Sequence, residues 1–103
     1  MSIIFGNKLR SLREENNIPQ RQLASVLEID TATYCKIEKG DRRAKREQVL
    51  LLAKSLKFNS KKLLQLWSAD KVYELIADEE DATQILSMVS ENIELYNAKS
   101  TIK

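Results

Sequence analysis

Apolar side chains recur along this chain at intervals of three and four residues, the period of a helix that buries one face. No segment reads as a strand, so the pattern predicts an all-α fold of seven helices. Phe5, Leu9 and Leu12 define the inner face of a first helix, from about Ile3 to Asn16. Asn16-Asn17 then stops it, because asparagine tolerates the left-handed conformation that ends helices. Pro19 opens a second helix, where its missing N–H has no intrahelical partner to lose. Leu23, Ala24 and Leu27 face inward, and this helix ends at Leu27 or Glu28. Asp30 is placed to cap a third helix, Thr31 to Lys39, and Gly40 to close it. Only Glu28-Ile29-Asp30 separates the second helix from the third, which is the spacing of a helix-turn-helix.

After a basic loop, Asp41 to Arg46, a fourth helix from about Arg46 to Lys57 turns Val49, Leu50, Ala53 and Leu56 inward. Asn59 or Ser60 caps a fifth, ending near Trp67. A sixth, about Ala69 to Ala77, presents Val72, Tyr73 and Ile76, which are expected to pack with Trp67 against the fifth. Trp67-Ser68-Ala69 contains no breaker, so these two helices can be continuous. Four acids, Asp78 to Asp81, lead to a seventh helix, about Ala82 to Ala98, with Asp81 and Gln84 resembling a capping box. Ile85, Val89, Ile93 and Tyr96 form its apolar stripe, with Leu86 beside it.

Composition narrows the chemistry. With 43% hydrophobic residues in 103, the chain can bury one modest core, and two glycines and one proline agree with helix. The expected division is residues 1–66 as a helix-turn-helix domain and 67–103 as a helical extension. Cys35 is the only cysteine and there is no histidine, so an internal disulfide, a His- or Cys-rich zinc site and histidine-based acid–base or nucleophilic catalysis are all ruled out. A lone thiol fits a reducing, cytoplasmic compartment. Glu79, Glu80 and Asp81 lie on an acidic linker and read as solvated charges, not as a catalytic set. The expectation is therefore a non-enzyme with no cofactor and no metal. Met1 to Gly6 is too short and too weakly apolar for a signal peptide, and no apolar run approaches the roughly 20 residues of a membrane span. The net charge of +2 conceals an asymmetry: residues 1–66 hold fourteen Lys and Arg against seven Asp and Glu, and residues 67–103 hold three against eight. A basic front half suits a polyanion such as DNA, with the acidic tail turned away from it.

Phe5 to Asn59 resembles the lambda-repressor-like helix-turn-helix family of the Xre and Cro type. The matching pieces are Leu9-Arg10-Ser11-Leu12-Arg13, Gln20-Arg21-Gln22-Leu23-Ala24, Asp30 to Tyr34, Lys36-Ile37-Glu38-Lys39-Gly40 and Val49 to Leu56. The resemblance implies a five-helix DNA-binding domain whose third helix lies in the major groove. Thr31, Ala32 and Lys36 would then face base edges, Lys36 donating to guanine and Ala32 packing on a thymine methyl. Gln20, Thr33, Lys39, Arg42, Arg43 and Lys45 would contact the DNA backbone. Tyr34 stands where the family has an aliphatic core residue. Its ring is expected inside and its hydroxyl at the rim, within reach of a phosphate. Arg13 and Glu38 resemble the family's buried ion pair, which fixes the recognition helix. Two further departures are Pro19, where a capping Ser or Thr is usual, and Glu28, where the turn usually has glycine.

The resemblance also implies partners: double-stranded DNA carrying an inverted repeat, bound by a homodimer, in the cytoplasm of a bacterium or from a phage. Ile85, Met88, Val89, Ile93 and Tyr96 are then candidates for dimerisation, although the seventh helix folding back on its own domain competes with that reading. An antitoxin or adaptor, with the C-terminal helices binding a different protein, is the alternative to a repressor or restriction–modification controller.

Overall fold

The computed structural model describes residues 4–101, with side chains through residue 98. Among them are six α-helices and no strand: α1 (Ile4–Glu15), α2 (Gln20–Val26), α3 (Thr31–Lys39), α4 (Arg46–Ser55), α5 (Ser60–Ile76) and α6 (Ala82–Thr101). The expected first residue of α1, Ile3, and the last residues of the extension, 102 and 103, lie outside the described residues. One helix, α5, replaces the predicted fifth and sixth, and Trp67-Ser68-Ala69 runs through it unbroken.

The chain forms two compact units, Met1–Tyr73 and Glu74–Lys103. The division falls later than the expected 66/67 boundary, because Trp67 and Asp70 both bond within the first unit. The Trp67 indole N–H donates to the Ala44 carbonyl at 2.8 Å. The Asp70 carboxylate accepts from the backbone N–H groups of Ile4 and Phe5, at 3.0 and 3.1 Å. Those are first-turn donors of α1, which have no partner inside their own helix, and α5 supplies the cap.

The core of the first unit is built from the inward stripes of five helices. Leu9, Leu23, Val49, Leu52 and Leu63 are completely buried, with Phe5, Leu12, Leu27, Ile37 and Leu56 nearly so. Each such side chain contributes about 1.5–3 kcal/mol by leaving water. Leu50 is not among them. It is 43% exposed, and Leu52 occupies the core instead, because 49, 52, 53 and 56 share one helical face and 50 lies well off it.

Three helices of this unit end in the same way on a residue other than glycine. Asn17, Glu28 and Lys57 have φ of 54°, 58° and 53°, and the N–H of the residue after each bonds back to Arg13, Ala24 and Ala53 respectively. The residues making those bonds, Ile18, Ile29 and Phe58, are half-buried against the core. This is the Schellman closure with its apolar contact, built on Asn, Glu and Lys in the left-handed conformation. α3 closes similarly, on Gly40 at φ 83°.

In the second unit α6 is a long helix with most of its apolar side chains in solvent. Leu86, Met88, Val89, Ile93, Leu95 and Tyr96 are all exposed, and Ile85 is half-buried.

Candidate nucleic-acid interface

α2 and α3 are joined by Leu27 to Asp30, one residue more than the sequence pattern implied. Pro19 stands just before α2 as its cap residue, with φ −74° and ψ 154°, and makes no side-chain cap bond. The Gln22 N–H reaches the Pro19 carbonyl at 3.1 Å instead. α3 starts more tightly: the Asp30 carboxylate accepts from the Thr33 N–H at 2.7 Å. That bond holds the Asp30 carboxyl below its ordinary range.

The inner face of α3 consists of Tyr34, Ile37 and Glu38, all buried. Periodicity then turns Ala32, Lys36 and Lys39 outward, and all three are exposed, as is Thr31 at the first position. Thr33 and Cys35 lie at the flanks, half-buried. Of the three residues expected to read bases, Ala32 and Lys36 therefore share the solvent side of a helix anchored at its N-terminus, while Thr31, in line with the inner Tyr34 and Glu38, is exposed because it opens the helix.

What orients that helix is a network centred on the Glu38 carboxylate. Arg13 donates through Nε to Oε2 at 2.7 Å and through Nη2 to Oε1 at 3.2 Å, and its Nη1 reaches the Ile18 carbonyl at 3.1 Å. The Tyr34 hydroxyl donates to Oε2 at 2.7 Å, and Gln20 Nε2 donates to Oε1 at 3.1 Å. One carboxylate thus ties α1, α2 and α3 together. Burial pushes the Glu38 carboxyl up, but the hydrogen bonds from Arg13, Tyr34 and Gln20 outweigh it and hold the group below its ordinary value.

This network corrects the reading of Tyr34. Its side chain is fully buried and its hydroxyl faces Glu38, not the rim, so it is no backbone contact. Burial and the neighbouring carboxylate both push the phenol pKa up. A buried hydroxyl needs a partner, and the carboxylate one turn along α3 provides it. Gln20 is half-buried with one amide N–H bound to Glu38, which leaves its second N–H free to donate.

Close approach of α1 and α3 depends on Gly6. A methyl group there would overlap the Glu38 backbone carbonyl and press on that of Ile37. Gly6 has no role in the sequence pattern, although a glycine inside a helix costs stability and so points to a packing reason. Part of the basic loop is held against α5. Arg43 stacks on Trp67, 4.0 Å from the ring centre, and donates to the Trp67 carbonyl at 3.0 Å. Arg46 approaches the same ring at 5.4 Å. Arg42 and Lys45 are exposed, the backbone N–H of Lys45 being held by the Gln48 side chain at 2.9 Å. Among the described residues there is no cluster of side chains suited to a metal ion and no helix long and apolar enough to cross a membrane.

No curated protein and no solved structure matches the chain. A family model described as a helix-turn-helix domain matches residues 6–68, more than half of the 103. The match takes in Gly6, the Arg13–Glu38 pair, the α2–turn–α3 unit and the Trp67 clamp. The chain belongs to the helix-turn-helix domain family, a DNA-binding and typically non-enzymatic one.

Proposed function

We propose that this protein is a sequence-specific transcription regulator of the lambda-repressor-like, Xre and Cro type. It binds an inverted repeat in double-stranded DNA as a homodimer, with α3 in the major groove, in the cytoplasm of a bacterial or phage-infected cell. A repressor or restriction–modification controller is the role this implies. The observation that carries the reading is the outward stripe of α3, Ala32, Lys36 and Lys39 with Thr31, on a helix whose opposite face is fixed by the Glu38 network.

In this reading Lys36 donates to guanine O6 or N7 and Ala32 meets a thymine methyl, while Thr31 reads the adjoining edge. Gln20, Thr33, Lys39, Arg42 and Lys45 hold the backbone, which supplies affinity and salt dependence without sequence information. Arg43 joins them only by giving up part of its contact with Trp67. The dimer forms through α6: Leu86, Val89, Ile93 and Tyr96 repeat at alternating three- and four-residue spacing, with Ile85 and Met88 alongside. The same exposed face supports a second reading, an antitoxin or adaptor that binds a different protein there.

Selection of bound duplexes from a random pool, followed by sequencing, tests the proposal. Enrichment of a short inverted repeat is expected, and its spacing reports the separation of the two α3 helices. Binding without enrichment, sensitive only to salt, would overturn base reading by α3 and leave the adaptor role.

A further inference from the structure

Beside the recognition helix the surface opens into a groove of about 270 Å³ between α1, α2 and α3, lined by Asn7, Arg10, Gln20, Cys35, Glu38 and Lys39. Its only carboxylate is Glu38, which is already neutralised by Arg13 and saturated by the hydrogen bonds of Tyr34 and Gln20. Two cations remain. Arg10 and Lys39 are both exposed, and among the described residues neither has a carboxylate partner. Gln20 still has one amide N–H to give, and the Asn7 amide contributes further donors. The groove therefore combines net positive charge with neutral donors, the chemistry that holds a phosphate.

Its place in the fold says which phosphate. Cys35 and Lys39 of the groove wall lie one helical turn apart on α3, next to the outward stripe of Ala32 and Lys36. A helix with its side chains nearly fills a major groove about 12 Å wide, so a backbone strand runs along each flank of it. We infer that the groove between α1, α2 and α3 seats a phosphate of the DNA backbone, with Arg10 and Asn7 of α1 as ligands beside Gln20 and Lys39. The inference rests on the proposed DNA binding and adds α1, to which no DNA contact has been assigned. Arg10 is the anchor, because its planar fork can hold two phosphate oxygens at once.

The test is the salt dependence of binding by the full chain, on the selected duplex and on a random duplex, for wild type, Arg10→Ala, Arg10→Lys and Lys36→Ala. Arg10→Ala is expected to weaken both duplexes by the same factor and to make the slope of log affinity against log salt shallower by about 0.9 per protomer bound. Arg10→Lys keeps the charge and should keep the slope. Since Arg10 is exposed, thermal melting of both variants should match wild type. An unchanged slope and affinity for Arg10→Ala, with base preference still altered by Lys36→Ala, overturns the groove and leaves DNA reading intact. Failure of the wild type to bind any duplex overturns both. A further arm alkylates the thiol of Cys35, which lines the same groove. Protection by duplex but not by inorganic phosphate is expected, and protection by inorganic phosphate alone would make this a small-anion site instead.

Discussion

Glu38 shows how one residue can set the geometry of a whole interface. Four donated hydrogen bonds from three side chains converge on it, so its charge is held in a fixed place and its folded-state pKa lies below the ordinary 4.5. The sign of the pH effect follows. A group whose pKa is lowered by folding contributes fully above its unfolded pKa and loses that contribution as pH falls through the folded value. Denaturant midpoints should therefore drop as pH is lowered past 4.5, and Glu38→Gln should remove that part of the drop. At neutral pH Arg13→Ala should cost about 3–5 kcal/mol, because it leaves a buried carboxylate without its cation. Glu28 presents the opposite case, a residue that costs stability where it stands. It sits exposed at φ 58°, a conformation worth roughly 1–2 kcal/mol against a residue with a Cβ. Glu28→Gly should raise the melting temperature by about 4–8 °C for each kcal/mol recovered, and no change would mean the turn relaxes around glutamate at no cost.

Between elements, the decisive contacts are ones that span the first unit. Gly6 lets α1 meet the end of α3, and Gly6→Ala should cost about 1–3 kcal/mol by forcing the helices apart. The same change should weaken specific DNA binding more than non-specific binding, since it tilts α3 while leaving every cation in place. Competition binding with both duplexes would detect that split. Trp67 offers a second readout. It is the only tryptophan, with Arg43 and Arg46 over its ring, and a phosphate that draws Arg43 away should change its fluorescence. The change should disappear in Arg43→Ala. How far these features were legible in the sequence depends on their range. The cap at Asp30, the bounds of α3, a cap at Asn59 or Ser60 and a stop at Asn16-Asn17 follow from local chemistry, and the structure selects Asn59 and Asn17. The pairing of Arg13 with Glu38 is legible only through a family resemblance. The Asp70 cap on α1 and the Trp67 bond to Ala44 join positions far apart in the chain, and no local pattern announces them. The place of the Tyr34 hydroxyl is hidden for a related reason: a phenol in a helix looks amphipathic until the buried carboxylate it serves is known.

At the scale of the whole molecule, the charge asymmetry and the apolar face of α6 bear on the same question. The first unit holds most of the basic residues, so DNA attracts it, but one domain of this size can read only a few base pairs. Two copies bound to one operator multiply their affinities through a high effective concentration. The exposed run of Leu86, Val89, Ile93 and Tyr96 is large enough to be costly in water and is repeated at the spacing that packs one helix against another. If that face joins two copies, Val89→Glu with Ile93→Glu should yield a monomer by sedimentation, because like charges would oppose each other across the two-fold interface. The melting of the first unit should be unaffected, as neither residue belongs to it. Affinity for the inverted repeat should then fall by two or more orders of magnitude, on the scale that linked binding provides, while affinity for a single half-site stays the same. A monomeric wild type, with the double variant binding the repeat equally well, would remove the dimer from the mechanism. The exposed face of α6 would then be left for a partner protein, as the adaptor reading requires.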